Sequence, residues 1–197
     1  MEILFIRHGE DQGKGSLKIV DFGLTEKGKA QIQKLQSYVI RFDPEIIFTS
    51  TLKRAKESAL IINGNRRKKI IYDERLNEFY NQQKDDIFED DYKEFLVKEE
   101  QLEGHIKTDL FPKKGETYNE LITRIKDFWT FLRSQNYKRV VIVGHGRNMT
   151  FLISHIMNFP LDGYRFAIEN GSFIKIRISD NWRPQIVFNE INNVGEE

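Results

Sequence analysis

Short apolar runs that do not alternate with polar residues recur along the chain, and longer segments of helical periodicity separate them. Such a run is typical of a strand buried on both faces of a sheet. Because strands and helices alternate, we expect parallel strands joined by helical crossovers. The predicted strands are Ile3–Ile6, Ile46–Thr49, Ile70–Tyr72 and Val140–Val143, and the predicted helices are Thr25–Arg41, Leu52–Ile62, Thr117–Asn136 and Asn148–Asn158.

The helix at Thr117 has the clearest start signal. Thr117 is followed by Glu120 in the capping-box pattern, in which two side chains satisfy free backbone N–H groups of the first turn. An apolar face follows, which we expect to pack against the sheet. It carries Ile122, Ile125, Phe128, Trp129 and Leu132.

The C-terminal part of the chain predicts a hairpin. The segments Phe173–Ile178 and Gln185–Phe188 flank the turn residues Asp180-Asn181, so we expect them to add two strands to the sheet. The predicted fold class is therefore α/β, a three-layer α/β/α arrangement with a mostly parallel central sheet. Residues 195–197 form a polar tail.

Residues 81–116 interrupt the alternation of predicted strands and helices. Between Asp85 and Glu103 there are nine acidic residues and only two basic ones, Lys93 and Lys98. We expect a helical lid inserted at about 81–116 in a single domain that spans residues 1–197. The alternative is a solvated helical excursion without substrate contact, because charged runs usually face water.

Composition limits the possible functions. Hydrophobic residues at 39% support a globular core, and a net charge of +1 argues against a general binder of nucleic acids. The basic run at 65–69 is interpreted as a solvated turn. No segment is long and apolar enough to span a membrane, and the N-terminal apolar run is too short for a signal peptide. The absence of cysteine excludes thiolate chemistry and fits the cytoplasm, where we expect the protein.

Two of the four histidines share one sequence context. Each of His8 and His145 follows an apolar strand and precedes a glycine. Because the carboxyl ends of neighbouring parallel strands meet at one edge of the sheet, both imidazoles are expected to face one pocket. Glycine after each histidine lets the backbone turn sharply and approach a ligand closely.

Two arginines indicate an anion in that pocket. Arg7 directly precedes His8, and Arg54 is placed in the first turn of a helix that follows the second strand. A guanidinium matches phosphate or carboxylate, and a helix start adds positive potential. These residues predict a phosphoryl-binding site.

The motifs that carry these residues resemble those of the histidine phosphatase superfamily, in its phosphoglycerate-mutase-like branch. The similarity extends over most of the chain, and six motifs occur in the family's order. They are Arg7-His8-Gly9-Glu10; Leu24-Thr25 with Gly28 and Gln31; Ser50 through Arg54-Ala55; Leu76-Asn77-Glu78; Gly115-Glu116-Thr117; and Val141 through His145-Gly146.

The resemblance implies roles for five residues. His8 would be the nucleophile that forms a phosphohistidine, with its other ring nitrogen held by a backbone acceptor. Arg7, Arg54 and His145 would bind the phosphoryl oxygens and balance their charge without a metal or another cofactor. Glu78 would protonate the departing oxygen and then activate water.

Four further positions are possible contacts of the substrate. Lys14 stands where many relatives have asparagine, and a lysine there can still reach a phosphate. Asn170, before Gly171-Ser172, resembles a family segment that positions the site. Thr150 replaces an arginine found in many relatives, so that arginine's ion pair is absent. The possible substrate-binding residues are Lys14, Thr25, Gly146 and Asn170.

The leading hypothesis is a metal-independent phosphatase acting on a small phosphomonoester. Hydrolysis is favoured over phosphoglycerate-mutase-type transfer because the additional segments of the longer mutases have no counterpart here. A second class is a metalloenzyme that uses His8, His145 and Glu78 as two-His-one-carboxylate ligands, although Arg7 and Arg54 would repel a cation. A third is a phospho-ligand binding module without turnover. The expected partner is a small phosphorylated molecule, not nucleic acid or a membrane, and the expected state is a monomer or homodimer.

Overall fold

The structure is a computed structural model of the chain, and it describes residues 1–13, 21–79, 116–161, 166–179, 181 and 183–187. The predicted lid, apart from Glu116, lies outside the described residues. Lys14 and the polar tail also lie outside them.

Six strands within the described part of the chain form one sheet in the order β3-β2-β4-β1-β5-β6. The first four strands along the chain run parallel to one another. Strand β5 is antiparallel to β1, and β6 is antiparallel to β5. This arrangement confirms both the parallel core and the added C-terminal hairpin. The strands are β1 (Glu2–Arg7), β2 (Ile46–Thr49), β3 (Lys69–Tyr72), β4 (Arg139–Gly144), β5 (Phe173–Ile178) and β6 (Pro184–Val187).

Helices cover both faces of the sheet. Ile3 and Phe5 point to one face, where they join a core with α4 and α5, and Leu4 and Ile6 point to the other, where they join α1, α2 and α3. Successive residues of a strand point to opposite faces, which explains why the strand has no polar alternation. The helices are α1 (Glu26–Lys34), α2 (Gln36–Phe42), α3 (Lys53–Asn63), α4 (Tyr118–Ser134) and α5 (Gly146–Ile156).

Two details of the predicted helices are wrong. The helix predicted over 25–41 is two helices, because the N–H of Leu35 donates to Ile32 O, only three residues back, at 3.0 Å. This tighter turn ends α1, and α2 begins directly after it. On α4 the capping box of Thr117 and Glu120 is present, but Leu121 is fully buried and Ile122 is only half-buried.

None of the described helices is long and apolar enough to cross a membrane.

Candidate active site

The candidate site lies where β1 and β4 end. These strands are parallel neighbours with Arg7 paired to Gly144, so the residues that follow, His8 and His145, reach the same edge of the sheet. Their ring centroids are 5.0 Å apart, and the rings are inclined by 58°. The structure therefore brings together the two histidines that share a sequence context.

His8 is buried and is held through both ring nitrogens. Its Nδ1 lies 2.7 Å from the carbonyl oxygen of Gly9, and its Nε2 lies 3.2 Å from Nε of Arg54. A carbonyl only accepts and a guanidinium only donates, so Nδ1 carries the proton and Nε2 carries the lone pair. Burial, followed by the charges of Arg54 and Arg7, lowers the pKa of His8 to about 3 although Gly9 opposes the shift. His8 is neutral at physiological pH, with a free electron pair at Nε2.

Arg7 is fixed at the end of β1 by a backbone contact. Its Nη1 donates to Ile168 O at 2.6 Å. A Cβ atom at position 146 would lie 3.3 Å from Arg7 Cζ, so glycine at 146 lets the guanidinium lie against the start of α5. Arg7 Nε is buried and has no hydrogen-bond partner among the described residues, which leaves one donor available to a ligand.

Arg54 lies in the first turn of α3, as predicted, and turns its side chain toward His8. Its Nε is also 3.6 Å from Oδ2 of Asp11. The same oxygen lies 3.8 Å from Nδ1 of His8, and the other oxygen accepts a 2.8 Å hydrogen bond from the N–H of Gly13. Asp11 is a site residue that the sequence did not indicate, since it stands in a loop without a strand-end signal.

His145 is fully buried at the end of β4. Its Nε2 lies 2.8 Å from Oγ of Ser50, and its Nδ1 has no hydrogen-bond partner within the described part of the chain. The pKa of His145 lies well below its ordinary value because of burial first, and then because of electrostatic interactions with His8 and with the positive charges of Arg54, Arg7 and Arg124. The ring is therefore neutral.

Glu78 reaches the same edge of the sheet from the loop after β3. Its Oε1 accepts hydrogen bonds from the N–H groups of Phe79 at 2.9 Å and Asn148 at 3.1 Å, and its Oε2 accepts one from the N–H of Arg147 at 3.3 Å. The carboxylate thus lies at the N-terminus of α5, where negative charge is stabilised. This is the helix that begins directly after His145.

Arg124 of α4 supports the Glu78 loop, and sequence reasoning did not identify it. Its Nη1 donates to Arg75 O at 2.6 Å and its Nη2 to Glu78 O at 3.3 Å. The guanidinium also forms an ion pair with Glu116. Asn148 donates from its side chain to the same Arg75 oxygen at 3.0 Å. The available signal was the Gly-Glu-Thr motif at 115–117, which supplies Arg124's partner.

The glycine after His8 also has a packing role. A Cβ atom at Gly9 would lie 2.2 Å from Gly28 O, and one at Gly28 would lie 2.0 Å from Glu10 O. The two glycines let the backbone of the His8 loop pack directly on α1. Thr25 caps α1 by accepting from the N–H of Gly28 at 3.0 Å, and it does not line the cavity described below.

Asn170 holds the His8 loop from the opposite side. Its Nδ2 donates to His8 O at 3.2 Å and to Gly9 O at 3.3 Å. Gly171, with a positive φ of 69°, donates its N–H to His8 O at 3.0 Å. Asn170 therefore contacts the backbone that carries His8, which is a positioning contact.

An open cavity of about 580 Å³ lies beside Arg7, Glu78 and the first residues of α5. Thr150 of α5 lies on its wall. Its hydroxyl donates to Gly146 O at 2.8 Å, with Phe166 O at 3.3 Å. The lining combines cations with an apolar wall, and it consists of Arg7, Glu78, Gly146, Arg147, Thr150, Phe166, Ala167 and Ile168.

The fold and this site define a class of protein. Residues 3–191 match the family model of the histidine phosphatase superfamily (branch 1), and the chain belongs to this family.

Several curated relatives are similar over most of the chain. The uncharacterized phosphatase PhoE of Bacillus subtilis is 31% identical over 189 residues, which cover 92% of this chain and 91% of PhoE. The adenosylcobalamin/alpha-ribazole phosphatase of Escherichia coli is 22% identical, with 96% of each chain covered. A probable 2-carboxy-D-arabinitol-1-phosphatase of Arabidopsis thaliana is 24% identical over 96% of this chain, but the match spans only 41% of that relative.

Solved structures show the same fold. The alpha-ribazole phosphatase from Shigella flexneri superposes with a TM-score of 0.82 at 21% identity, covering 98% of this chain and 97% of that one. Bacillus stearothermophilus YhfR superposes with a TM-score of 0.81 at 22% identity, covering 98% of both chains.

Proposed function

We propose that this protein is a metal-independent phosphatase that hydrolyses a small phosphomonoester through a phosphohistidine. One observation carries the proposal: His8 presents an unprotonated Nε2 to the guanidinium of Arg54 at 3.2 Å, while Gly9 O holds its Nδ1–H at 2.7 Å. This is the arrangement that a nucleophilic imidazole requires.

In the first step, His8 Nε2 forms a bond to phosphorus as the bond from phosphorus to the substrate's alcohol oxygen breaks. Glu78, which lines the cavity together with Arg7, gives a proton to the departing alcohol. In the second step, Glu78 takes a proton from water as the water oxygen attacks phosphorus. The P–N bond breaks, inorganic phosphate is released, and His8 Nε2 regains its lone pair.

The arginines supply the electrostatic part of catalysis. Charge on the transferring phosphoryl group spreads over its oxygens, and fixed cations at those oxygens stabilise the transition state. Arg54 already contacts His8 Nε2, and Arg7 has a buried Nε without a partner among the described residues. Arg54 therefore has a donor at the reacting nitrogen, and Arg7 has one that no described residue uses.

The relatives support the reaction class. The curated relatives from Bacillus subtilis, Escherichia coli and Arabidopsis thaliana are named as phosphatases. The small cavity, about 580 Å³, suits a small alcohol portion with an apolar surface that faces Phe166 and Ile168.

The two-His-one-carboxylate alternative is not favoured by the geometry of His8. A metal needs the lone pair of a ring nitrogen, but Nε2 faces the cationic Arg54 and Nδ1 faces Gly9 O. Among the residues with described side chains, no group of three or more His, Asp or Glu residues is arranged to hold a metal ion.

The test is an assay with p-nitrophenyl phosphate, sugar phosphates and phosphoglycerates in the presence of EDTA. We expect hydrolysis that His8→Ala abolishes and His155→Ala preserves, since His155 is a half-exposed histidine near the end of α5. Rapid quenching in alkali should trap an acid-labile phosphoryl group on His8. Hydrolysis by the His8→Ala variant at the wild-type rate would refute the proposal, and transfer of phosphate between phosphoglycerates in place of release would indicate the mutase alternative.

A further inference from the structure

One group of the site has no role in the proposed function: Nδ1 of His145, which has no hydrogen-bond partner among the described residues. The side chain is completely buried, and its Nε2 is used by Ser50. Burying a ring nitrogen without a hydrogen-bond partner costs free energy, so a ligand that supplies the partner is stabilised. Whether that partner must be a donor or an acceptor depends on where His145 holds its proton.

The hydrogen bonds around Asn77 determine where His145 holds its proton. The N–H of Thr51 lies 2.9 Å from Oδ1 of Asn77. A backbone N–H can only donate, so this side-chain atom must be the amide oxygen. The Oγ atoms of Ser50 and Thr51 lie 2.7 Å and 2.9 Å from the same oxygen, and an amide oxygen only accepts. Both hydroxyl groups therefore donate to Asn77.

Ser50 has one hydroxyl proton, and this bond uses it. The 2.8 Å contact between Ser50 Oγ and His145 Nε2 then requires the proton to come from His145. Ser50 Oγ also accepts from the N–H of Leu52 at 3.1 Å, as its second lone pair allows. Neutral His145 consequently has its proton on Nε2 and a lone pair on Nδ1.

The surroundings of His145 keep it neutral. Cationic groups face it from three elements: Arg7 from β1, Arg54 from α3 and Arg124 from α4. His8, directly after β1, is itself neutral, and the carboxylate of Glu78 accepts hydrogen bonds at the N-terminus of α5. A second proton on His145 would be unfavourable in this environment, so Nδ1 is an acceptor.

We propose that Asn77 and Ser50 lock His145 as a hydrogen-bond acceptor, and that the site therefore binds the phosphoryl group as a monoanion whose P–OH donates to His145 Nδ1. The proposal rests on the proposed function for the location of the phosphoryl group. The ring centroids of His145 and His8 are 5.0 Å apart, and the proposal places the phosphoryl group on His8 against Nδ1 of His145.

This arrangement selects ligands by their protonation. A phosphomonoester loses its second proton near pH 6, and the dianion has no hydrogen to offer to Nδ1. Affinity should therefore fall about tenfold per pH unit above the ligand's second pKa. Sulfate has the shape of phosphate but no proton between pH 6 and 8, so it should bind at least tenfold more weakly than phosphate at pH 6.

The first experiment reads the tautomer of His145 directly, without turnover. Long-range ¹H–¹⁵N NMR of the ¹⁵N-histidine-labelled protein at pH 7.5 should show His145 protonated at Nε2 only. His145→Gln assigns the signals, and His155 serves as an internal reference for an ordinary ring. A proton at Nδ1, alone or with one at Nε2, would overturn the proposal.

The second experiment measures orthophosphate and sulfate as inhibitors of p-nitrophenyl phosphate hydrolysis between pH 6 and 8. The wild-type protein should prefer phosphate, most strongly at pH 6. In Asn77→Ala the Ser50 proton is free to donate to Nε2, so Nδ1–H becomes accessible and the preference should fall at least fivefold. Asn119→Ala, an exposed position on α4, should behave like wild type.

Equal affinity for the two anions at pH 6, or a phosphate affinity that does not change with pH, would refute the proposal. Failure of the proposed function has a different signature: wild-type protein would not hydrolyse p-nitrophenyl phosphate at all. In that case calorimetry with the same two anions replaces inhibition, and the NMR readout stands unchanged.

Discussion

Nε of Arg54 donates a 3.2 Å hydrogen bond to Nε2 of His8, so a guanidinium occupies the lone pair that would attack phosphorus. The contact holds the imidazole in its reactive tautomer while no substrate is bound. A phosphoryl oxygen is a stronger acceptor for a guanidinium than a neutral ring nitrogen. Under the proposed mechanism, we therefore expect an arriving phosphoryl group to draw the donor away from His8 and expose the electron pair.

Removing the charge of Arg54 should make His8 easier to protonate. Burial is the first cause of its lowered pKa, and the Arg54 charge is the next, so in Arg54→Met the pKa should rise from about 3 toward the ordinary value. The acidic limb of the pH–rate profile should move to higher pH, and kcat should fall at least a hundredfold. Lys56→Met, on the same helix, is the control. An unchanged acidic limb in an active Arg54→Met variant would contradict this account.

The two buried neutral histidines should make the fold sensitive to acid. Their folded-state pKa values lie below those of the unfolded chain, so the unfolded state binds more protons as pH falls below about 6.5. The free energy of unfolding should thus decrease with falling pH, by up to about 1.4 kcal/mol per pH unit for each histidine. Urea unfolding at pH 7.5 and pH 5.5 measures the slope. His8→Gln and His145→Gln should each reduce it, and a stability that rises on acidification would disprove the assignment.

Asp11 should weaken the binding of anions. Its carboxylate lies 3.6 Å from Nε of Arg54 and offsets part of the positive potential that attracts a phosphoryl group. We expect Asp11→Asn to lower the inhibition constant of orthophosphate or vanadate several-fold. Glu26→Gln removes an exposed acid on α1 and should leave the constant unchanged. Weaker inhibition of Asp11→Asn would show instead that the carboxylate is needed to position His8 or Arg54.

Arg124 should matter most for substrates with poor leaving groups. It binds the carbonyl oxygens of Arg75 and Glu78 and so positions the proposed acid. In Arg124→Gln, hydrolysis of phenyl phosphate or glycerol phosphate should fall at least tenfold more than hydrolysis of p-nitrophenyl phosphate, whose leaving group needs little protonation. Arg133→Gln, an exposed change on the same helix, is the matched control. An equal loss with every substrate would indicate a general structural role.

Much of the site was predictable because strand ends converge. In a parallel sheet, residues that follow neighbouring strands meet at one edge, so the positions of His8 and His145 after their strands were enough to place them together. The positions of Arg7 and Arg54 at the site were predictable for the same reason, because each lies close to the end of a strand. The capping box at Thr117 was equally local, because its two side chains and backbone donors lie within one helical turn.

The remaining contacts join residues that no local pattern connects. Asp11 meets Arg54 across 43 positions of the chain, and Arg124 reaches Glu78 across 46. The break at Leu35 was hidden in a similar way, because the apolar face continues across it through Tyr38, Val39 and Phe42.

The sequence by itself determined which residues lie at the sheet edge and which chemistry their side chains offer. Only the tertiary structure decided how each group is protonated and oriented. The tautomers of His8 and His145 depend on whether their neighbours donate or accept hydrogen bonds, and those neighbours, Arg54 and Ser50, are brought in by chain segments 46 and 95 residues away. Hydrogen bonding requires exact distance and direction between specific atoms, which periodicity and motif order do not encode.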